Sequence, residues 1–358
     1  MPPGPRGASP TLLDVARAAG VSRTTASNAF NRPDQLSAAL RERVLGVARE
    51  LGYGGPNPMA RMLRTGRAGA VGVVFSDRLT YAVTDAAAVA FLQGIAEVCE
   101  QEEAALLILS AIDEEAARRV VRQAAVDGFI IYCLATETGV INAMLERGQP
   151  VVAVDEPGFA EGPGVGIADR AGARQAAAHL VGLGHRDIAI ISMETRPDGY
   201  VGPLDAARRA GSVYAVTDDR LAGYEDGLAA AGLDPAALRV EERPCNDPRG
   251  AHAATLALLA ARPRPTAILA MSDQFALAAI AAAAALGLKV PDDLSVVGFD
   301  DIPIASQVSP PLTTVRQPLV EKGRIAAELL LGRRRSATPI VLPTELVVRA
   351  TTAPPRAP

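Results

Sequence analysis

The sequence predicts an α/β protein with a small helical head at its N-terminus, a hinge helix, and a larger domain of two lobes built on parallel sheets. Three observations support this prediction. Residues 11–52 contain three short helical patterns, whereas from residue 70 onward apolar strand-like runs alternate with helical patterns in two successive series. The charge also changes sign, since residues 1–67 hold ten arginines and four acids, a net +6, while the whole chain carries −4. A basic head on an acidic body indicates that only the head meets a polyanion.

The head begins with a tail and two helical patterns joined by a tight turn. Residues 1–10 are rich in proline and glycine, and we expect them to be a disordered tail. A capping box formed by Thr11 and Asp14 starts the first helix, and Gly20, which readily adopts a left-handed backbone, ends it. Ser22 is placed to cap the second helix.

A third helix completes a domain predicted over residues 11–55. The second helix is expected at about 23–30 and is followed by a turn at 31–34. Ser37 caps the third helix, in which apolar residues recur at spacings of four and three, and Gly52 ends it. A helix, a turn with glycine and a helix with a polar outer face form the helix-turn-helix pattern, whose second helix enters the major groove of DNA.

The outer face of the second helix supplies the candidate DNA contacts. These are Arg23, Thr24, Thr25, Ser27, Asn28 and Asn31. Arginine bonds guanine with two N–H groups, asparagine does the same with adenine, and threonine bonds a base or touches a thymine methyl. We expect Thr25 and Asn31 to contact phosphate. The pattern alone also allows a small structural bundle whose polar face is merely solvated.

Residues 56–69 are predicted to form the hinge helix and a linker. Pro58 suits the first turn of a helix, and Gly66 breaks its far end. About two helical turns are too short to be stable alone in water, so a partner must order them. The alternative is that its apolar side chains pack on the body, namely Met59, Met62 and Leu63.

Residues 70–352 are predicted to form the two-lobe domain, with a solvated tail at 353–358. Continuous apolar strands separated by helices are typical of parallel sheets covered on both faces. The predicted strands lie at 70–76, 105–111, 128–134, 151–156, 187–192, 239–245, 266–273 and 294–301. We place lobe 1 at about 70–167 and 319–346, and lobe 2 at about 168–315 together with the C-terminal end.

Polar side chains follow the predicted strands, where ligands of parallel α/β lobes bind. They include Ser76, Asp77, Tyr132, Asp155, Ser192, Asp273, Asp300 and Asp301, and Arg220 opens a helical pattern nearby. Carboxylates with one arginine suit the hydroxyls or ring nitrogens of a small polar ligand, which between two lobes favours their closed form. Structural explanations remain open: Asp300 as a turn cap, and Arg220 in a surface ion pair with Asp218 or Asp219.

Other classes of protein are disfavoured. No P-loop, no G-x-G-x-x-G after the first strand and no G-x-S-x-G motif is present, so we expect neither a catalytic residue nor a cofactor. Three widely spaced cysteines and three histidines form no disulfide framework or metal motif. No apolar run of about 18 residues or apolar export segment is found, so we expect a cytoplasmic protein without a membrane partner.

The segment at 11–66 resembles the head of the lac repressor family of transcription regulators. The shared residues are Leu13 to Ala16, Ala19 to Ser22, Thr25, Ser27, Asn31, Leu51 to Tyr53, Pro56, Asn57, Ala60 and Leu63. The resemblance extends over about 11–352, because RLAGYEDGL, PTAILAMSDQFALAAI, VPDDLSVVGFDDIPIA, PPLTTVRQP and LPTELVVRATT are similar to the family's two-lobe effector domain. That domain is itself similar to periplasmic sugar-binding proteins.

The resemblance implies a homodimeric repressor that binds double-stranded operator DNA and a small-molecule effector. Its recognition helix carries over as Arg23, Thr24, Ser27 and Asn28. The family usually has arginine where this chain has Asn28, so the base preferred there stays open. The hinge helix would pair with that of its dimer mate in the minor groove, with Leu63 as a wedge.

The resemblance also implies a set of effector contacts in the two-lobe domain. They are Asp155, Arg220, Ser272 or Asp273, Asp300 and Gln317, and the segment after the first strand offers Tyr81 as a further contact by ring stacking or its hydroxyl. A sugar and a nucleoside both suit these groups, and effector binding is able to release DNA or to promote its binding. The alternative for the body is a stand-alone solute-binding protein, which would lack the basic head.

Overall fold

The computed structural model describes residues 10–55, 62, 66–134, 138–156 and 162–356. The chain divides into two compact units, Met1–Ala68 and Gly69–Pro358. The predicted tail, except for Pro10, and the hinge helix with Leu63, except for Met62, lie outside the described residues before Gly66.

Residues 10–55 of the first unit contain three α-helices: α1 (Leu12–Ala18), α2 (Arg23–Asn31) and α3 (Ala38–Glu50). The predicted capping box is confirmed, since the Thr11 N–H donates to Asp14 Oδ2 at 2.9 Å and the Asp14 N–H donates to Thr11 Oγ1 at 3.4 Å. The predicted caps of the other two helices are also present. The buried core of the unit consists of small apolar side chains: Val15, Ala16, Ala19, Ala26, Ala29, Val44 and Ala48.

The second unit alternates strands and helices. Its strands are β1 (Ala70–Phe75), β2 (Ala105–Ser110), β3 (Gly128–Tyr132), β4 (Val151–Val154), β5 (Gly164–Ile167), β6 (Ile188–Ser192), β7 (Gly202–Pro203), β8 (Arg239–Glu242), β9 (Ala267–Ala270), β10 (Ser295–Asp300), β11 (Thr313–Arg316), β12 (Ile340–Leu342) and β13 (Glu345–Val347). Its helices are α4 (Leu79–Thr84), α5 (Ala86–Gln101), α6 (Glu114–Gln123), α7 (Gly139–Leu145), α8 (Asp169–Gly182), α9 (Ala206–Ala210), α10 (Ala215–Ala229), α11 (Pro248–Ala260), α12 (Asp273–Ala285) and α13 (Leu319–Leu330).

The strands form two sheets, one in each lobe. Lobe 1 has the strand order β12-β5-β4-β3-β1-β2, and lobe 2 has the order β13-β11-β10-β9-β6-β8-β7. Neighbouring strands are parallel except at the two edges of lobe 2, where β13 and β7 are antiparallel to their neighbours. Apolar side chains pack on both faces of each sheet. The predicted class of two parallel α/β lobes is therefore confirmed.

The chain passes three times between the lobes. The crossings lie between β5 and α8, between β11 and α13, and between β12 and β13. The third crossing falls between Leu342 and Glu345, a few residues before the expected end of the lobe 1 segment at 346. After the second crossing, α13 packs closely on α5, because a Cβ at Gly94 would lie 1.9 Å from the carbonyl oxygen of Val320. No helix within the described ranges is long and apolar enough to cross a membrane.

Candidate functional site

The first turn of α2 presents two exposed polar side chains of the predicted DNA-binding face. Arg23 and Thr24 are exposed and have no side-chain hydrogen bond to any described residue. Ser22 Oγ accepts the N–H of Thr25 at 3.0 Å and lies 2.8 Å from its hydroxyl, so Thr25 is held at the start of the helix. The unpaired N–H groups of a helix N-terminus attract anions such as phosphate. This end of α2 therefore combines an exposed arginine with a capped first turn whose N–H groups favour an anion.

The other predicted contacts on α2 are already engaged within the head. Asn28 Nδ2 donates to Gln35 Oε1 at 3.1 Å, and Asn31 Nδ2 donates to the carbonyl oxygen of Ser27 at 3.1 Å and to its hydroxyl at 3.2 Å. Asn28 can therefore contact a base only if it gives up its bond to Gln35 or if the amides of Asn28 and Gln35 bind the base together. Gln35 escaped prediction because it follows the helix in a short turn, Pro33–Gln35.

The second unit contains a cavity of about 120 Å³ between the lobes. Its walls are the segments that follow the carboxyl ends of β1, β3, β4, β6, β8 and β10, together with α10, α13 and the second crossing. The lining includes Ser76, Asp77, Tyr81, Tyr132, Cys133, Asp155, Glu156, Glu194, Tyr214, Thr217, Arg220, Asn246, Asp300, Gln317 and Lys322. The structure thus brings together five of the suggested effector contacts, Tyr81, Asp155, Arg220, Asp300 and Gln317, and three further strand-end residues that the sequence suggested, Ser76, Asp77 and Tyr132.

Ser272 and Asp273 do not lie on the wall of this cavity. Both are fully buried at the start of α12, where Ser272 Oγ accepts the N–H of Phe275 at 3.1 Å and donates to Asn246 Oδ1 at 2.6 Å. Asp273 accepts the N–H of Ile302 at 2.8 Å beneath β10. The two side chains are turned toward the sheet because they cap and anchor a helix, and Asn246, which Ser272 holds, reaches the cavity instead.

A continuous polar chain runs along the cavity from lobe 1 to lobe 2. Lys322 Nζ lies 2.5 Å from Asp155 Oδ2 and 2.9 Å from Gln317 Oε1. Gln317 Nε2 in turn donates to Asp300 Oδ1 at 2.6 Å. Lys322, one of only two lysines in the chain, is 1% exposed. Sequence reasoning missed it, although a lysine in an otherwise arginine-rich protein was a visible signal.

Arg220 continues this chain in lobe 2. Its Nη1 lies 4.0 Å from Asp300 Oδ1, its Nε donates to Asp169 Oδ1 at 2.7 Å, and its guanidinium stacks 3.7 Å from the centre of the Phe299 ring. The predicted alternative of a surface ion pair with Asp218 or Asp219 is wrong, because Arg220 is buried. It also lies within α10, which begins at Ala215, and does not open a helix. Its Nη2 makes no hydrogen bond with the described residues and remains available to a ligand.

Left-handed backbone conformations occur where strands end at the cavity. Cys133, Asp155 and Asp300 have φ values of 50°, 59° and 120°, which residues with a side chain rarely adopt. Such conformations persist only where the surrounding structure enforces them, and they cluster at ligand sites. Asp155 Oδ1 is, in addition, buried without a hydrogen-bond partner in the described part of the chain. These features indicate that the strand ends are arranged for a ligand.

Burial changes the protonation of the cavity acids. It raises the pKa of Asp300 to about 7, against the lowering effect of the Arg220 charge. It raises the pKa of Glu156 to about 8, with a further rise from the neighbouring Asp155 charge. Burial likewise raises the pKa of Glu194 to about 8, reinforced by Asp77. Near neutral pH, these carboxyl groups are therefore able to donate as well as accept hydrogen bonds.

A second set of contacts joins the lobes beside the cavity. Asp85 caps α5 in lobe 1 through Oδ1, which accepts the N–H of Ala88 at 2.9 Å. Its Oδ2 accepts from two side chains of lobe 2, Asn246 Nδ2 at 3.0 Å and Gln274 Nε2 at 3.1 Å. We call these contacts of Asp85 with Asn246 and Gln274 the latch. Because Asn246 also lines the cavity, the latch links the cavity wall to the closure of the lobes. Within the described ranges, no group of acids, cysteines and histidines is arranged to hold a metal ion.

Comparison with known proteins assigns both units. Residues 11–57 match the family described as bacterial regulatory proteins, lacI family, and residues 177–352 match a periplasmic binding protein-like domain. The chain is 43% identical over 361 residues to the HTH-type transcriptional regulator Rv3575c of Mycobacterium tuberculosis, with 99% of this chain and 100% of the relative covered.

Two solved structures show the same architecture. A lac repressor dimer bound to operator and the anti-inducer ONPF superposes with a TM-score of 0.76 at 28% identity, covering 96% of this chain and 99% of that chain. A complex of the transcriptional regulator CelR with cellobiose superposes with a TM-score of 0.68 at 29% identity and the same coverage. The helix-turn-helix head, the two-lobe body and these relatives together establish that the chain belongs to the lacI family of DNA-binding transcriptional regulators, not to a family of enzymes.

Proposed function

We propose that the protein is a homodimeric repressor whose affinity for a near-palindromic operator is set by a small polar effector, a sugar or a nucleoside-like molecule. One observation carries the proposal: Asp155 of lobe 1, Arg220 and Asp300 of lobe 2, and Gln317 at the crossing line one cavity. A ligand that bonds groups of both lobes stabilises their closed arrangement. A regulator that binds chromosomal operators in this way acts in the cytoplasm.

The relatives support this proposal and leave both directions of regulation possible, release of DNA by the effector or promotion of DNA binding. The lac repressor structure is a dimer bound to operator DNA, and the CelR structure is a complex with cellobiose. In our proposal, effector binding changes lobe closure and with it the separation of the two hinge helices on DNA. A coupling free energy of about 1–3 kcal/mol would change operator affinity roughly 5–150-fold, in either direction.

The proposed DNA contact begins with Arg23 and Thr24 in the major groove. Thr25 and the N-terminus of α2 would bind phosphate, and Leu63 of the hinge would insert into a base step of the minor groove. Ten arginines within residues 1–67 supply the electrostatic attraction. About seven phosphate contacts would give a slope of roughly −6 in a plot of log affinity against log salt concentration.

Selection of binding sites from random and genomic duplexes tests the DNA half of the proposal. We expect one near-palindromic sequence to be enriched, and Arg23→Ala to relax discrimination at one base pair per half-site by about 1–3 kcal/mol. The control is Arg49→Ala on α3, which removes the same charge from an exposed arginine paired with Glu42. Equal losses on all sequences would instead assign Arg23 to phosphate, and no preference for any duplex would refute the proposal.

A thermal-shift screen with sugars and nucleosides tests the effector half. A ligand that binds the native form at 100 times its Kd stabilises it by about 2.7 kcal/mol, which raises the melting temperature. The same ligand must change operator affinity of the full chain. A variant lacking residues 1–67 is expected to keep ligand binding and to lose operator binding. Retained operator binding by that variant would contradict the assignment of the head.

A further inference from the structure

The wall of the interlobe cavity carries more acids than cations. Five carboxyl groups line it, those of Asp77, Asp155, Glu156, Glu194 and Asp300, against two cations, Arg220 and Lys322. Both cations already have acidic partners. Lys322 Nζ is 2.5 Å from Asp155 Oδ2, and Arg220 Nε is 2.7 Å from Asp169, which does not line the cavity. The described residues of the wall therefore provide no spare positive charge for an anionic ligand.

Three of the acids lack a cationic partner within the described ranges: Asp77, which accepts the backbone N–H of Arg78, and the two glutamates. Glu156 is 6% exposed and forms no ion pair or hydrogen bond with the described residues. Glu194 is half-buried and forms no ion pair there either. The neighbouring undescribed segments, 135–137 and 157–161, contain no lysine or arginine that would supply the missing charge. Both glutamates line the cavity, and because their pKa values are raised to about 8, they are mostly protonated near neutral pH without a ligand. A ligand cation beside them would favour their ionised form and pair with it.

Aromatic rings accompany these acids. Tyr81, Tyr132 and Tyr214 all line the cavity. Tyr214 lines the same cavity as Glu156 and Glu194. The faces of aromatic rings attract cations, and ring faces combined with carboxylates are a common arrangement for binding ammonium groups. The Lys322 ammonium, 5.5 Å from the centre of the Tyr132 ring, already shows such a contact.

We propose that the effector is a small polyol bearing a protonated amino group, such as an amino sugar, and that this group pairs with Glu156 and Glu194 on the wall of the cavity that Tyr214 also lines. The hydroxyls of the same molecule bond Asp155, Asp300 and the free Nη2 of Arg220. A cavity of about 120 Å³ accommodates one sugar ring more readily than two. This inference rests on the proposed effector function of the cavity and narrows the class of ligand.

The test compares matched probes on the full-length protein by calorimetry and thermal shift. Each series contains a 2-amino sugar, its parent sugar and its N-acetyl derivative, in the gluco, galacto and manno configurations, with glucose 6-phosphate as an anion. We expect the amine to bind at least about tenfold more tightly than both neutral members of one series, since one charge-assisted hydrogen bond accounts for about that factor. The anion is expected not to bind.

Isosteric variants locate the amine. Glu156→Gln and Glu194→Gln should each reduce the preference for the amine about tenfold while leaving the affinity for the neutral parent nearly unchanged. The control is Glu100→Gln, an exposed acid outside the cavity. If only neutral sugars or nucleosides bind, the inference fails and the effector function survives. If no sugar, nucleoside or amine binds, the proposed effector function fails with it.

Discussion

Removal of the buried ammonium of Lys322 is expected to destabilise the two-lobe domain in a pH-dependent way. The substitution Lys322→Met keeps the length and apolar stem of the side chain but leaves the Asp155 carboxylate without its partner at 2.5 Å. Asp155 has little means of compensation, since its side chain is 4% exposed and its Oδ1 already lacks a partner in the described ranges. Breaking a buried ion pair by removing one member typically costs about 3–5 kcal/mol.

A protonation argument sets the upper limit of this loss. An isolated buried carboxylate takes up a proton when that costs less than remaining charged. For an aspartate with an ordinary pKa of about 3.9, protonation at pH 7 costs about 4 kcal/mol, at about 1.4 kcal/mol per pH unit. The variant no longer has to bury the charged ammonium of Lys322, and this gain offsets part of the cost of protonating the carboxylate. We therefore expect Lys322→Met to lower the free energy of unfolding by about 2–4 kcal/mol at pH 7 and by roughly 1–2 kcal/mol at pH 5.

Urea unfolding at pH 5, 6 and 7 measures this effect. The matched control is Lys289→Met, the only other lysine, which is exposed and should change the stability by less than about 0.5 kcal/mol. The double variant Asp155→Asn with Lys322→Met removes both charges and should recover stability relative to Lys322→Met alone. A loss below about 1 kcal/mol at pH 7, or a double variant no more stable than the single one, would refute the reasoning.

Three further predictions concern the latch, a cavity acid and the hinge. The substitution Asp85→Ser keeps a cap for α5, but the shorter side chain does not reach Asn246. We therefore expect effector affinity to fall about tenfold while the helix content stays unchanged. An unchanged affinity would mean that the latch does not influence the closure of the lobes. Because burial raises the pKa of Glu156 to about 8, the folded state binds more protons than the unfolded state between about pH 4.5 and 8, and stability falls as pH rises through that window. Glu156→Gln should therefore be more stable than the natural chain by about 1 kcal/mol at pH 5 and by about 4 kcal/mol at pH 8 in urea unfolding. A difference independent of pH would contradict the assignment. Leu63→Ala should reduce operator bending in a gel-shift assay with permuted sites, and an unchanged bend would exclude the wedge.

Local signals made much of the head predictable. The capping box of Thr11 and Asp14 depends only on neighbours in sequence, and so do the caps at Ser22 and Ser37. The predicted polar face of α2 was located correctly, but its internal bonds were not, because the partner of Asn28 is Gln35 in the turn that follows. Sequence spacing on a helix does not show which polar groups are already satisfied.

In the body, long-range pairing decided what could be predicted. Asp155 and Asp300 follow apolar strands, and the carboxyl ends of parallel strands share an edge, so their meeting at one cavity was foreseeable. The strands β5 and β11, with sequences GVGI and TTVR, contain too few large apolar side chains to give a strand signal. Lys322 lies on a helix whose burial depends on the second crossing, and no local pattern records that crossing. A strand end does not reveal whether its last side chains face the cleft or the following helix, so the sequence did not show that Ser272 and Asp273 lie off the cavity wall.

The three passages of the chain between the lobes determine how this protein can be divided. Strand β12, near the C-terminus, pairs with β5 at the edge of the first sheet, while β13, only a few residues later, completes the second. Neither lobe is thus encoded by one uninterrupted stretch of sequence. A truncation that stops before residue 340 strips an edge strand from both sheets at once, so separate expression of a single lobe requires splicing distant segments together.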